Sequence, residues 1–304
     1  MTGFRELGTK LRNWRRWGPD DELGTVNLIT PASRKRGAAA VRSGAAVDLG
    51  MPFDARGPQS GGMRFNPIHK MTRLLSDGEF GGLAVADDIV IMPLQCATQW
   101  DSLAHVAYDG KAYNDMPYSA VTAAEGATRN SFAMVAPHLV GRGVLLDIPA
   151  LKGISCLDPA DEVTADDLSA AAARENLRIE QGDIVLVRTG WYQHFLAGDI
   201  GRYMGAPHPG LGLSCCNWLY DNQVAAVAGD NYAVEVRPSR DPDAALPFHM
   251  VAIRDMGLTL GEMFNLEGLA AACAERGAWD FLFAGPGLKI TGSVGSPITP
   301  VAVL

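Results

Sequence analysis

A mixed α/β fold in a single domain is the class this sequence predicts. Three observations lead there. Short apolar runs bounded by turn residues recur along most of the chain. Capped, Ala-rich helical stretches lie between them. No linker, charge-block tail or internal repeat divides the 304 residues. The balance of 47% hydrophobic against 20% charged residues is that of a chain able to bury a large core. The formal charge of −8, from 26 Lys and Arg against 34 Asp and Glu, argues against nucleic-acid or anionic-membrane partners, which need a basic footprint. No apolar run reaches the roughly 18 residues of a bilayer span. The charged segment 1–18 has no signal-peptide apolar region, so a cytoplasmic protein is expected. Cys96, Cys156, Cys215, Cys216 and Cys273 are odd in number and irregularly spaced, which predicts buried thiols rather than a disulfide framework.

Taken in order, residues 13–30 read as a loop with Gly18-Pro19 and an acidic run, Asp20 to Glu22, expected as a solvated turn. Thr30 as N-cap and Pro31 at the first helical position open a helix through Arg42. Residues 45–52 read as a strand and 54–80 as a long Gly-, Pro- and Ser-rich loop, of a length that is usually functional. An apolar strand at 89–94 leads into a polar cluster. Residues 143–148 and 182–191 read as buried strands. Thr164 caps a helix over 165–176. Then follow a helix at 213–222, a strand at 224–230, a helix at 249–257, a strand at 258–264 and a helix at 266–276. Strands at 279–285 and 288–293 close the chain.

The common chemical fingerprints are missing. There is no phosphate-cradling G-x-x-x-x-G-K-[ST], no G-x-G-x-x-G after a strand, no G-x-S-x-G elbow and no H-E-x-x-H. What stands out is the run Gln95-Cys96-Ala97-Thr98-Gln99-Trp100-Asp101-Ser102-Leu103-Ala104-His105. In extended geometry alternate residues share a face, so Gln95, Gln99 and Asp101 point one way and His105 returns to that side after a turn. Two amide oxygens, a carboxylate and an imidazole can hold a divalent cation or orient a water beside a base. Trp100 then faces the other side, as core or as a wall of the substrate pocket. His69 in the long loop and Tyr108 after the cluster are candidate substrate contacts. Asp230, at a strand end with Glu235 close by, reads as a loop cap. His138, His194 and His208 have no ligand spacing and read as structural.

This run resembles the H-x-G-T-H-x-D-x-x-x-H signature of the cyclase family, of the kynurenine formamidase and isatin hydrolase type. Gln95 stands at the first His, Ala97 at the Gly, Thr98 at the Thr, Gln99 at the second His, Asp101 at the Asp and His105 at the last His. Segments 17–27, 143–149, 182–190 and 247–266 are also similar, so the resemblance spans nearly the whole chain. It implies a compact α/β domain of the swivelling β/β/α type over residues 1–304, with residues 1–44 as an N-terminal extension packed on it. It implies a metal-dependent hydrolase of amides, including cyclic ones, forming dimers or tetramers. It also implies His105 as general acid and base, assisted by Asp101, and Gln99, Asp101, His249 and Glu262 as metal ligands.

The departure from the signature has consequences. Two histidines are glutamines here, and a Gln oxygen is a neutral, hard, weak donor. At most one metal is expected, Mn²⁺ before Zn²⁺, and a metal-free site stays open. The expected function is hydrolysis of a small amide, cyclic imide or lactone. A metal-independent cyclase or lyase, and a non-catalytic binder of a small ligand, are the alternatives.

Overall fold

One mixed sheet carries most of the strands. In spatial order it runs Ala46–Asp48, Val301–Val303, Asp280–Ala284, Val140–Asp147, Ile184–Arg188, Ala226–Gly229, Thr259–Glu262, Gln99–Asp101 and Gly295–Pro297. The four strands from Val140–Asp147 to Thr259–Glu262 are parallel neighbours, and every pairing outside them is antiparallel. This computed structural model describes residues 3–241 and 244–304; Met1 and Thr2 of the predicted extension lie outside the described residues.

The central strands are buried and apolar over most of their length because both faces are covered. Val144, Leu146, Val185 and Val187 pack into one buried cluster, while Leu145, Ile184 and Leu186 pack into another on the opposite face. Helices start where the local chemistry says. The Thr30 hydroxyl accepts the Ser33 amide to open Pro31–Ala39. Thr164 and Asp167 form a reciprocal capping box at the head of Ala165–Arg174. The N-terminal segment is fastened by hydrogen bonds to residues 254–256. Helix Phe4–Lys10 leads to Trp14, whose indole donates to the Arg254 carbonyl at 2.7 Å, and Asn13 donates to the Met256 carbonyl. No helix among the described residues is long and apolar enough to cross a membrane, and all five cysteines are free, Cys156 alone being only partly buried.

Four expectations need correction. The 54–80 loop contains strand Ile68–Arg73, which pairs with Asp87–Ile91 in a separate hairpin, so the apolar strand expected at 89–94 stands outside the main sheet. The acidic run is not a solvated turn. Asp21 accepts from the Leu23 and Gly24 amides, the Asn27 side chain and the Tyr113 hydroxyl, and Glu22 accepts the Asn130 amide. Residues 288–293 form no strand: Gly292 turns at φ +74°, and the closing strands are Gly295–Pro297 and Val301–Val303. The helix expected at 249–257 is a short α turn, Pro247–His249, followed by a π-helical turn, Met250–Met256.

Candidate metal centre

Strand Gln99–Asp101 lies between Thr259–Glu262 and Gly295–Pro297, with Gln99 directly opposite Glu262 and Trp100 opposite Gly261. Opposed residues share a face, and so do residues two apart on one strand. Gln99, Asp101 and Glu262 therefore meet on one side and Trp100 goes to the other. The close approach on that other side requires glycine: a Cβ on Gly261 would lie 2.7 Å from the Trp100 ring. Thr98 pins the entry to the strand, its hydroxyl donating to the Met263 carbonyl at 2.6 Å and accepting the Met51 amide at 2.7 Å.

His249, at the end of its helical turn, closes the group from the far side. Its Nε2 is 3.2 Å from Glu262 Oε1, and its Nδ1 is 2.5 Å from Glu235 Oε2. Gln99 Nε2 donates to Glu262 Oε2 at 2.7 Å. One ligand atom each from Asp101, His249 and Glu262 lies within 4.8 Å of the others. His105 returns to the site through a tight turn, its amide bonding to the Ser102 carbonyl, and its Nε2 stands 3.8 Å from Asp101 Oδ1. Its side chain is 23% exposed, so this is the member of the group in touch with solvent.

The electrostatics call for a cation. Asp101, Glu235 and Glu262 are three buried carboxylates around one buried imidazole. Asp101 Oδ2 and Gln99 Oε1 are buried acceptors with no hydrogen-bond partner among the described residues, an expensive arrangement unless something positive faces them. Burial, with the nearby Glu262 charge, lifts the Asp101 carboxyl to about 6 against the pull of His105 and His249. Burial pulls the His249 imidazole down, but its hydrogen bonds to Glu235 and Glu262 outweigh that and push it up to about 10. A divalent cation fits this donor set: two carboxylates, an amide oxygen, and an imidazole whose far nitrogen is held by a further carboxylate.

Among the predicted site residues, Gln99, Asp101, His105, His249 and Glu262 are thus brought together. Gln95 lies before the strand rather than on it, its Nε2 buried without a partner. Trp100 is not a pocket wall. It is fully buried, donates its indole N–H to the Gly285 carbonyl at 2.9 Å and packs edge-on against Phe264 and Phe283. Tyr108 is not free to contact substrate, because its hydroxyl donates to Asp255 and its ring lies against Phe4 and the Arg254 guanidinium. His69 sits on the exposed hairpin, bonded to Asp88 at 2.7 Å, rather than in a loop. Asp230 is a cap, accepting from Thr189 and Gly190. Glu235 is the residue that holds His249, and nothing in its spacing announces that.

A mixed α/β sheet with a buried Asp–His–Glu triangle at one end defines an enzyme fold carrying a candidate metal centre. The family model described as "Putative cyclase" matches residues 47–236. A crystal structure described as a novel cyclase is similar at a TM-score of 0.90 and 36% identity, over 98% of this chain and 99% of that one. The chain belongs to the cyclase family, whose fold it has. Two more distant structures share the fold. Isatin hydrolase A from Ralstonia solanacearum has a TM-score of 0.62 at 22% identity, over 89% of this chain and 94% of that one. A protein from Bacillus stearothermophilus described as a predicted metal-dependent hydrolase has a TM-score of 0.53 at 16% identity, over 85% and 97%. No curated protein matches the chain.

Proposed function

We propose that the chain hydrolyses a small amide, cyclic imide or lactone, with His105 as general base and then general acid. The observation that carries this is the convergence of Asp101, His249 and Glu262 on one point, with a partly solvent-exposed imidazole 3.8 Å from Asp101. The descriptions of the distant neighbours, a hydrolase of isatin and a metal-dependent hydrolase, agree with that chemistry. Asp101, His249, Glu262 and the Gln99 oxygen hold one divalent cation. The hard, amide-containing donor set favours Mn²⁺ over Zn²⁺. Such a cation, when bound, polarises a carbonyl and acidifies water.

The side chains do the rest. His105 Nε2 takes a proton from the attacking water as its oxygen bonds to the acyl carbon. The same proton then goes to the leaving nitrogen or oxygen as the acyl bond breaks. Asp101, deprotonated, stabilises the imidazolium formed in between. Gln95, with an unpartnered buried amide group beside the strand, is the substrate-orienting residue in this reading. The free thiols of all five cysteines support a cytoplasmic setting.

A metal-independent acid–base reading is the alternative: His249, pulled down by burial but pushed up to about 10 by its hydrogen bonds to Glu235 and Glu262, stands 3.2 Å from Glu262. The experiment is turnover of N-formyl anilines, isatin-like rings and lactones by chelated protein with and without added Mn²⁺, together with His105→Ala. Hydrolysis that needs Mn²⁺ and falls about 10²–10⁴-fold in the variant is expected. Chelator-resistant turnover that still needs His105 moves the assignment to the metal-independent reading, and turnover indifferent to His105 overturns both.

A further inference from the structure

The loop that precedes strand Ile68–Arg73 carries Arg64 to the edge of the metal centre. Asn66 closes this loop on itself. Its Oδ1 accepts the Gln59 amide at 2.8 Å, and its Nδ2 donates to the Gln59 carbonyl at 3.0 Å and the Ala55 carbonyl at 3.3 Å. Gln59 then ties the loop to the entry of the site strand, its Nε2 donating to the Cys96 carbonyl at 2.8 Å. Gly61 and Gly62, at φ of +103° and +85°, turn the chain back, and Arg64 bridges to Gly61 across that turn. Arg64 is half-buried there. Its one hydrogen bond among the described residues is long, from Nη1 to the Gln95 carbonyl at 3.5 Å, and no described carboxylate pairs with it. A guanidinium has five N–H donors, so most of those on Arg64 are uncommitted.

A second unused donor lies beside it. Gln95 is only 9% exposed, and its Nε2 has no hydrogen-bond partner among the described residues. That amide packs over Gly295, where a Cβ would come within 2.5 Å of Nε2, and Gly295 stands opposite Asp101 in the sheet. Burial raises both the Asp101 carboxyl and the Cys96 thiol, and the Arg64 charge opposes the rise in each, so the guanidinium is within electrostatic reach of the metal centre. The site thus has two halves with opposite demands. At Gln99 and Asp101 unpartnered acceptors call for a cation; at Gln95 and Arg64 unpartnered donors call for an anion.

We propose that Arg64, with the Gln95 amide, receives a carboxylate borne by the substrate, so that the substrate class is an amide, cyclic imide or lactone carrying an acidic group away from the bond that breaks. This rests on the hydrolytic reading and adds the feature by which the site tells substrates apart. A carboxylate suits both donors. The guanidinium fork takes it in two parallel bonds, and the amide N–H takes a remaining lone pair. Asp101, Glu235 and Glu262 would repel an anionic substrate, and Arg64 stands where it offsets them. A neutral substrate leaves the buried Gln95 donor unpaired, so the site selects against it. Arg64 is not needed as a brace for its loop, because Asn66 and Gln59 already hold that loop with shorter bonds.

Binding and turnover test this separately. Calorimetry on the protein as purified compares benzoate with benzamide, near-isosteres that differ in charge. The wild type is expected to bind benzoate at least about 10-fold tighter, and Arg64→Gln to lose that preference. Formanilides with and without a ring carboxylate then read selectivity. The ratio of their kcat/KM values is expected to fall about 10–100-fold in Arg64→Gln, with the loss in KM rather than kcat, because the guanidinium grips a group that does not react. A wild type that treats benzoate and benzamide alike overturns the proposal, and that comparison needs no variant. So does a preference for benzoate that survives in Arg64→Gln. Formanilides that are not turned over, beside an Arg64-dependent preference for benzoate, keep the anion site and strike the hydrolytic reading instead.

Discussion

Glu235 grips His249 twice with one oxygen: its Oε2 lies 2.5 Å from the ring Nδ1 and 2.8 Å from the backbone nitrogen of the same residue. The pair fixes both where the imidazole is and which nitrogen faces Glu262. A carboxylate behind a ligating histidine raises its basicity and removes its freedom to rotate. Glu235→Gln is therefore expected to weaken Mn²⁺ binding about 10–100-fold, read by titration calorimetry, while the far-ultraviolet circular dichroism stays that of the wild type. Unchanged affinity would show that the pair is only a structural contact.

Gln99 occupies the point where the family signature has a histidine, directly opposite Glu262 in the sheet. An imidazole is the better donor for a borderline-soft ion. Gln99→His is expected to raise Zn²⁺ affinity by about 10-fold or more while Mn²⁺ affinity moves much less, shown by competition titrations on chelated protein. Equal gains for both ions would mean that the Gln99 oxygen is no part of the donor set.

These residues also show where the sequence is readable. The caps at Thr30 and Thr164 are local chemistry within three residues, so they could be seen without tertiary knowledge. The shared face of Gln99 and Asp101, and the opposite face of Trp100, follow from the two-residue period of a strand. The Glu235 role was not legible, because it depends on a loop crossing the end of the sheet at 231–236 to meet a helix 14 residues later. The hairpin at 68–91 was not legible either. Its strands are exposed on both faces, so they lack the alternation that marks a half-buried strand. Tyr108 misled for a similar reason, since its partner Asp255 is 147 residues away.

Trp100 offers a check on the packing side of the site. Its ring fills the core between Phe264 and Phe283, and its indole satisfies the buried Gly285 carbonyl. Trp100→Phe leaves that carbonyl unpaired and a cavity beside it. The expected loss is about 2–4 kcal/mol of unfolding free energy in denaturant melts, with KM unchanged. A raised KM at undiminished stability would return Trp100 to the substrate pocket.

Far from the metal centre, Glu175 sets a pH dependence of stability. The side chain is fully buried, Oε1 accepts the Asp147 amide at 3.0 Å, and Oε2 has no hydrogen-bond partner among the described residues. Burial, helped by the Asp147 charge, lifts its carboxyl to about 7 against the Asp147 amide hydrogen bond and the Arg174 guanidinium. The unfolded chain ionises this group near about 4.3. The native state therefore favours the protonated form. Its stabilising contribution is fully present below the unfolded value and is lost as pH rises through about 7. Above that, the folded protein carries a buried charge that costs on the order of 3 kcal/mol. Glu175→Gln keeps the oxygen that accepts the Asp147 amide but never ionises. Denaturant melts are expected to show it more stable than wild type by about 1–3 kcal/mol at pH 8, with the gain shrinking through pH 6 and gone near pH 4. A gain independent of pH would mean that Glu175 is ionised at no cost in the fold, and that the partner of Oε2 is a water.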